Sequence, residues 1–425
     1  MGDVALNPFP ASPRSPPQAG APPAPETPTL VLRFADVGVA TYASLRVVGD
    51  PSRTITWVIQ GTQIGEGLDE LSGALPEPKA GESVADAVAR ALTVGPFAAP
   101  DTELALAQSL GAALLSEAAW RLLVDHVSTP RVALFISPSA RLGRVPWGLL
   151  AMPAETDVEA YRLVELVDVL MAIPPNIANA PRPRTGWAER RHRLPLLILD
   201  PRVPGQRADS ALGSVLGRPS PEALLARHFA DDVAQQRVLP TVSATTELFR
   251  RTDVDRDWLA TMLVEEPRRL LYVGHASAAE DHSGRADQAA LHLAEDGPLT
   301  AASIMSRRMP MPPRVALIAC ASGGDYRFDE ATGLVASMVL CGAQLVTATL
   351  WSLPTTAGYR QFTGGAADPM AELVAAVDDA HDDDEGGRAV NRWQRDRMRH
   401  WRSGDSTASP LYWAALVTFA VDGAR

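Results

Sequence analysis

Lysine is almost absent from this chain of 425 residues, because Lys79 is the only one and the remaining cations are arginines. A phosphate-binding loop of the GxxxxGK(S/T) type therefore cannot be written in this sequence. Lys79 stands between Pro78 and Ala80, a poor setting for a Schiff-base lysine or for a lysine that holds ATP. The shortage of lysine thus disfavours a nucleotide-binding α/β domain.

Cysteine is scarce as well, with two residues, Cys320 and Cys341, so a disulfide framework is excluded. Free thiols at this frequency are typical of a reducing cytoplasm. The net charge is −11 and no basic stripe is present, which argues against direct binding of nucleic acid. Residues 1–6 lack the basic and apolar segments of a secretory signal, and we therefore expect a cytoplasmic protein.

One stretch carries no charge over 21 residues, from position 331 to position 351, and is long enough to span a bilayer. Gly342 and Gln344 lie near its middle, and its second half is rich in β-branched residues. This pattern favours a buried helix, a turn and a buried strand over a membrane span. We therefore predict no membrane segment.

Changes in composition divide the chain into three parts. Residues 7–28 hold nine prolines, which predicts a disordered tail over residues 1–28. The basic, proline-rich segment 181–193 marks the best internal boundary, between a scaffold region at 29–190 and a catalytic region at 191–425. Strands and helices alternate after this boundary, which predicts an α/β fold with a mostly parallel sheet and helices on both faces.

Two reactive side chains follow two of the apolar runs that we interpret as buried strands. His275 comes after the run at 270–273, and Cys320 comes after the run at 315–319. Because the carboxyl ends of parallel strands share one edge of a sheet, we expect a thiol and an imidazole to meet there. They are the parts of a cysteine nucleophile and its general base. Their order and spacing of 45 residues resemble the caspase order.

The neighbours of both residues are small, which lets a substrate backbone approach closely. The backbone amides of Ala276 and of Cys320 itself are candidates for the oxyanion hole. Cys341 lies at the end of an apolar helix, where we predict a structural role. The other histidines show no metal-ligand spacing, so we predict no metal site.

Six motifs in matching order resemble those of the CHAT-type caspase-like peptidases, in the clan of caspases, separases and gingipains. They are RLGRVPWGLL at 141–150, LYVGH at 271–275, LTAASI at 299–304, LIACASG at 317–323, GAQLVTATLW at 342–351 and PLYWAAL at 410–416. The resemblance covers roughly residue 131 to the C-terminus. It departs from the family at Ala276, where most relatives have glycine, and at Ser303, where relatives often have an acidic residue.

The resemblance implies a caspase-hemoglobinase-like three-layer sandwich, with residues 29–190 as a pseudo-caspase-like scaffold. It also implies that His275 is the base, that Cys320 is the nucleophile and that peptide bonds are cleaved without a cofactor. In such folds the strand that ends near Trp351 borders the substrate cleft. We expect an extended peptide to pair there by β-augmentation, with the segment Thr349, Leu350, Trp351 and Ser352.

The leading hypothesis is a caspase-like cysteine endopeptidase that cleaves a partner protein, by analogy in bacterial defence or cell death. The alternative is a protease-like interaction or signalling module whose dyad is idle. No tetratricopeptide repeats are present, so a partner-sensing module is missing or is supplied by an activating protein chain. Substrate preference stays open, because Asp325 and its acidic neighbours favour a basic residue whereas Arg327 favours an acidic one.

Overall fold

The computed structural model describes residues 28–153, 160–205, 213–277, 285–320, 322–324 and 333–425. The strands in these residues are β1 Thr29–Val37, β2 Ala40–Val47, β3 Asp50–Gln60, β4 Ala133–Ser137, β5 Asp168–Ala172, β6 Leu196–Leu199, β7 Arg269–Val273, β8 Ala276–Ser277, β9 Ala290–Leu291, β10 Leu299–Thr300, β11 Arg314–Ile318, β12 Leu345–Thr349 and β13 Leu416–Ala420. The helices are α1 Gly61–Ala74, α2 Val84–Thr93, α3 Pro100–Leu114, α4 Glu117–Val124, α5 Leu163–Leu166, α6 Pro175–Ala178, α7 Trp187–Arg190, α8 Leu224–His228, α9 Ala230–Ala234, α10 Arg256–Val264, α11 Ala301–Arg307, α12 Leu334–Leu340, α13 Thr356–Thr363, α14 Pro369–Asp382, α15 Gly386–Arg402 and α16 Pro410–Trp413.

Ten of these strands form one sheet in the order β3-β2-β1-β4-β5-β13-β12-β11-β7-β6. Six of its nine pairings are parallel, and the antiparallel ones are β12 with β13 and the meander β1-β2-β3. A separate small sheet has the order β10-β9-β8. The predicted α/β fold with a mostly parallel sheet is therefore confirmed.

The burial of each strand follows from its sequence. Every residue of β6, β7, β11, β12 and β13 is buried, as expected for strands that are covered on both faces. This is why these segments read as unbroken apolar runs. The strands β1 and β2 instead alternate between buried and more exposed residues, so one face of the sheet is open to solvent at that end.

Several helices begin at a side chain that caps them. The hydroxyl of Thr300 accepts a hydrogen bond from the amide of Ser303, at 3.1 Å, and thereby caps α11. Side-chain oxygens do the same at the starts of α2, α4, α10, α13 and α14, where the caps are Ser83, Ser116, Asp255, Thr355 and Asp368.

The uncharged stretch before residue 352 forms a helix, a turn and a strand, as predicted. The helix α12 and the strand β12 are both buried, and the turn between them contains Gly342 with a φ of 130°. A Cβ atom at Gly342 would lie 2.8 Å from the carbonyl oxygen of Met311, so no side chain fits this turn. No helix in the described part of the chain is long and apolar enough to cross a bilayer.

The two regions on either side of residue 190 share the large sheet, because β13 pairs with β5. Helix α15 reinforces this junction from the C-terminal side of residue 190. The guanidinium of Arg395 donates to the buried carboxylate of Asp168 at 2.9 Å, and the amide of Asn391 bonds both backbone groups of Val169 at 3.0 Å. The boundary between the regions stays a prediction, and the predicted tail lies outside the described residues apart from Pro28.

Helix α3 passes so close to the chain at residue 151 that only glycine fits at position 111. A Cβ atom at Gly111 would lie 1.9 Å from the carbonyl oxygen of Ala151, whereas one at Gly65 in α1 would have no neighbour within 4 Å. We expect Gly111→Ala to lower the free energy of unfolding by about 1–3 kcal/mol through overpacking. The matched Gly65→Ala should raise it by about 0.5–1 kcal/mol. Urea unfolding of the full chain measures both, and equal effects would contradict the close approach.

Candidate active site

The strands β7 and β11 bring His275 and Cys320 to neighbouring positions. Their parallel register pairs Arg269 with Arg314 and Val273 with Ile318, an offset that, continued by two residues, sets His275 opposite Cys320. The ladder extends beyond the strands, because the amide of Gly274 donates to the carbonyl of Ile318 at 3.2 Å. Neighbouring strands lie about 4.8 Å apart. Both side chains are thus presented at one edge of the sheet, which we call the carboxyl edge.

The imidazole of His275 is buried, with 6% of the residue exposed, and is fixed by one hydrogen bond. Its Nε2 atom lies 2.6 Å from the carbonyl oxygen of Gly213. A carbonyl oxygen only accepts, so Nε2 carries the hydrogen, and in the neutral ring Nδ1 keeps a free lone pair. That lone pair is the group a general base needs.

The backbone of His275 is held from below by Tyr272. The hydroxyl of Tyr272 donates to the carbonyl oxygens of His275 and His292, each at 2.7 Å, and the amide of His292 donates to the same carbonyl of His275 at 3.0 Å. The Tyr272 ring can reach the carbonyl of His275 because residue 274 is glycine. A Cβ atom at Gly274 would lie 2.9 Å from the Tyr272 hydroxyl.

The thiol of Cys320 is only partly exposed, and its pKa is raised. Burial is the main cause, and the negative charge of Glu77 adds to it. A hydrogen bond from the hydroxyl of Ser352 acts in the opposite direction and lowers the pKa, but burial prevails. No hydrogen bond joins Cys320 to His275 among the described residues. The thiol is therefore neutral at physiological pH in this conformation.

Cys341 differs from Cys320 in its surroundings. Its Sγ atom is buried and lies 3.6 Å from the carbonyl oxygen of Ile304, and burial raises its pKa to about 11. No titratable partner or cleft accompanies it in the described part of the chain. The structural role predicted for Cys341 fits this setting.

The backbone amide of Ala276 points away from its strand partner. In the antiparallel pair of β8 and β9, hydrogen-bonded and non-bonded residue pairs alternate. The amide of His292 donates to the carbonyl of His275, so the next pair, Ala276 with Leu291, is a non-bonded one. The N–H of Ala276 therefore faces the open side of β8.

The segment predicted to pair with a peptide is mostly buried. Thr349, Leu350 and Trp351 are at most 1% exposed, and only Ser352 is partly exposed. The carbonyl of Thr349 accepts from Gly323 at 2.9 Å, and the amide of Leu350 donates to Ala415 at 2.9 Å. No hydrogen bond between described residues uses the backbone of Trp351 or Ser352. Asp325, the remaining predicted substrate-binding residue, lies outside the described residues.

The chain matches a family model described as the CHAT domain over residues 104–421, well over half of its length. The chain belongs to the CHAT-domain family. This family of caspase-like peptidases was identified from six motifs, and all six lie within the matched range. Residues 28–103 of this CHAT protein, which include β1 to β3, precede the match.

Two crystal structures of the Saccharomyces cerevisiae separase–securin complex are similar to this CHAT protein. The identities are 11% and 14%, the TM-scores are 0.47 and 0.38, and the alignments cover 92% and 85% of this chain. The chain spans only 30% and 23% of those chains, and identities this low carry no assignment of residues. No curated protein matches the chain.

Residues that precede the CHAT match also reach the carboxyl edge, which the sequence did not reveal. The Phe97 ring lies 6.1 Å from that of Trp351, centroid to centroid, and α2 packs against α13, which begins four residues after Ser352. Glu77 is close enough to act on the Cys320 charge and is ion-paired with Arg144. No local sequence pattern marks these contacts, because they join residues that are far apart in the chain and meet only in the folded protein.

The segment around Cys320 is tied to β12 and β13 by two residues whose contacts the sequence analysis did not predict. The hydroxyl of Ser322 donates to the carbonyl of Leu317 at 2.7 Å and accepts from the amide of Thr349 at 3.1 Å. A Cβ atom at Gly323 would lie 3.1 Å from a methyl group of Val417. Both residues belong to the motif LIACASG at 317–323, so the sequence did mark them as part of this segment.

In the described residues, His228, Asp378 and Asp379 form the one cluster whose side chains could ligate a metal ion. Its ligand atoms lie within 4.8 Å of one another. However, Arg269, the first residue of β7, is buried and forms an ion pair with Asp378. The hydrogen bond to Asp378 raises the pKa of His228, as expected for an imidazolium partner. The cluster thus forms an ion-pair network at the opposite edge of the sheet.

The two influences on the Cys320 thiol predict opposite effects of two substitutions. Because thiolate is the reacting form, alkylation by iodoacetamide follows the thiol pKa. Glu77→Gln removes a negative charge and should shift the Cys320 labelling profile to lower pH. Ser352→Ala removes a donor and should shift it to higher pH.

Peptide mapping by mass spectrometry reads Cys320 and Cys341 separately across a pH series. Glu70→Gln is the matched control, because Glu70 is an exposed residue of α1. Shifts of equal sign in the two variants, or a shift in the control, would contradict the assigned surroundings of Cys320.

Proposed function

We propose that this CHAT protein is a cysteine endopeptidase that cleaves a partner protein, with His275 as general base and Cys320 as nucleophile. The register of β7 and β11 carries the proposal, because it sets the two residues opposite each other at the carboxyl edge. The hydrogen bond from Nε2 of His275 to Gly213 supports it, because Nδ1 is left to take a proton.

In the first half of the reaction, Nδ1 of His275 takes the thiol proton while Sγ of Cys320 attacks the carbonyl carbon of the scissile bond. The amides of Ala276 and Cys320 donate to the resulting oxyanion. His275 then gives its proton to the leaving amine, and the C–N bond breaks to leave a thioester. In the second half, His275 deprotonates a water that attacks the thioester, and the acid product and the thiol are released.

The raised pKa of Cys320 favours transfer of the proton during attack over a thiolate–imidazolium pair that exists beforehand. A buried, neutral thiol has little nucleophilic character until the base is aligned with it. Binding of the substrate or of an activating protein chain supplies that alignment. The extended substrate pairs with the partly exposed end of segment 349–352, at Ser352, whose hydroxyl contacts Cys320.

The setting of this reaction is proposed from the family and from the chain's own thiols. Two unpaired cysteines suit a reducing cytoplasm. Residues 29–190 brace the catalytic sheet through β5 and β13. Relatedness to caspase-like peptidases suggests bacterial defence or cell death as the pathway, with no cofactor and no direct nucleic-acid partner.

The same neutral thiol favours a second candidate function, an interaction or signalling module with an idle dyad. In that case Cys320 never ionises in the folded chain, and the cleft only holds a peptide.

A peptide library made from a digested bacterial proteome separates the two functions. We expect the wild-type chain to produce new termini, detected by mass spectrometry, and Cys320→Ala to produce none. His275→Ala should lower kcat/KM by roughly 10²–10⁴-fold, the usual contribution of a general base. Cys341→Ala is the matched control and should retain full activity.

A peptidyl acyloxymethyl ketone covers the case of a slow enzyme, since it alkylates an aligned cysteine irreversibly. An adduct on Cys320 that requires His275 supports the peptidase. Unchanged cleavage by Cys320→Ala or His275→Ala, or an adduct that forms on Cys320 equally fast without His275, contradicts the peptidase.

A further inference from the structure

Asp200 is a buried carboxylate at the carboxyl edge with no place in the reaction described above. It follows β6 directly and is 0% exposed. Its backbone is left-handed, with a φ of 54°, and its amide donates to the carbonyl of Val273 at 2.6 Å. Asp and Asn adopt this conformation more readily than other non-glycine residues. The chain is therefore turned at the end of β6, next to the strand that carries His275.

The carboxylate of Asp200 organises the loop at residues 213–217. One oxygen accepts from the Ser214 hydroxyl at 2.6 Å and from the amide of Leu216 at 3.4 Å, and the other accepts from the amide of Val215 at 3.3 Å. The guanidinium of Arg250 completes the set at 3.3 Å. Four donors around one buried carboxylate fix the position of the loop.

The first residue of this loop is Gly213, whose carbonyl receives Nε2–H of His275 at 2.6 Å. The same loop is tied to the other side of the cleft, because the amide of Thr356 in α13 donates to the carbonyl of Val215 at 3.2 Å. A displacement of residues 214–216 would therefore move the only hydrogen-bond partner that the His275 ring has among the described residues.

We propose that Asp200 is a positioning residue for His275, acting through Ser214 and the Gly213 carbonyl to hold the imidazole as the Nε2–H tautomer with Nδ1 toward Cys320. The inference rests on the proposed function, because it assigns Asp200 to the activation of the nucleophile. Asp200 itself does not contact the reacting atoms. The loop that it fixes sets the ring orientation and the tautomer.

Asp200→Asn tests this role with little change in volume or backbone preference. The amide group places an N–H where a carboxylate oxygen accepted, so at least one donor of the loop loses its acceptor. We expect kcat to fall roughly 10-fold or more, within the ~10²–10⁴-fold contribution of a general base, with KM little changed. Ser214→Ala removes one donor, leaves the ion pair with Arg250 in place and should give a smaller loss.

The deciding measurement is the tautomer of His275, read from ¹⁵N shifts of histidine-labelled full-length chain and assigned by loss of the signal in His275→Ala. The wild type should show a single Nε2–H form, and both variants should show a mixture with Nδ1–H. Asp253→Asn is the matched control, because Asp253 forms a surface ion pair with Arg251 and is 54% exposed.

A folded Asp200→Asn that keeps the wild-type tautomer overturns the proposal. If that variant does not fold, an unchanged tautomer in Ser214→Ala overturns it instead. This readout needs no peptidase activity, and it therefore separates the two ideas. Full cleavage by Cys320→Ala would contradict the proposed function. A wild-type His275 tautomer in Asp200→Asn would contradict only the role of Asp200.

Discussion

The parallel pairing of β7 with β11 is the constraint on which the rest of the site depends. Backbone hydrogen bonds fix the register of the two strands, and a slip by one residue would turn every side chain to the opposite face. The register sets His275 opposite Cys320, although 44 residues lie between them in the chain. Burial of both strands on both faces makes such a slip costly.

The electrostatics of the site then follow from burial. The Cys320 thiol is shielded from water and faces the charge of Glu77, whereas hydrogen bonds from the Ser352 hydroxyl and from the backbone of Cys320 itself favour its ionised form. The imidazole has its tautomer set by a backbone carbonyl rather than by a carboxylate. Burial therefore keeps the Cys320 thiol neutral in this conformation.

The sequence allowed the central part of this structure to be predicted because the relevant signals are local. Apolar runs mark the buried strands, and a residue one or two positions after such a run lies at the carboxyl edge, as His275 and Cys320 do. The same rule applies to Asp200, which follows residues 196–199 and was overlooked because it belongs to no recognised motif.

Other features have no local signal. Gly213 meets His275 across 61 intervening residues, and its role is carried by a carbonyl that every residue possesses. The burial of Thr349, Leu350 and Trp351 depends on how α16 and the loop around Phe97 cover the end of β12. The position of Glu77 depends on the closure of one region against the other. Contacts of this kind are set by tertiary packing, which composition and periodicity do not report.

The contact between Phe97 and Trp351 has a consequence for how members of this family diverge. Residues 28–103 precede the range that matches the family, yet they place an aromatic ring against Trp351 and a carboxylate near Cys320. Exchange of this portion between relatives would alter the surroundings of Trp351 and Cys320 while the pairing of β7 with β11 stayed unchanged. Trimming the chain at residue 104 would instead uncover Trp351 and leave β4 as a bare edge, open to self-association. The range that matches the family, residues 104–421, is therefore shorter than the part of the chain that packs together as one fold.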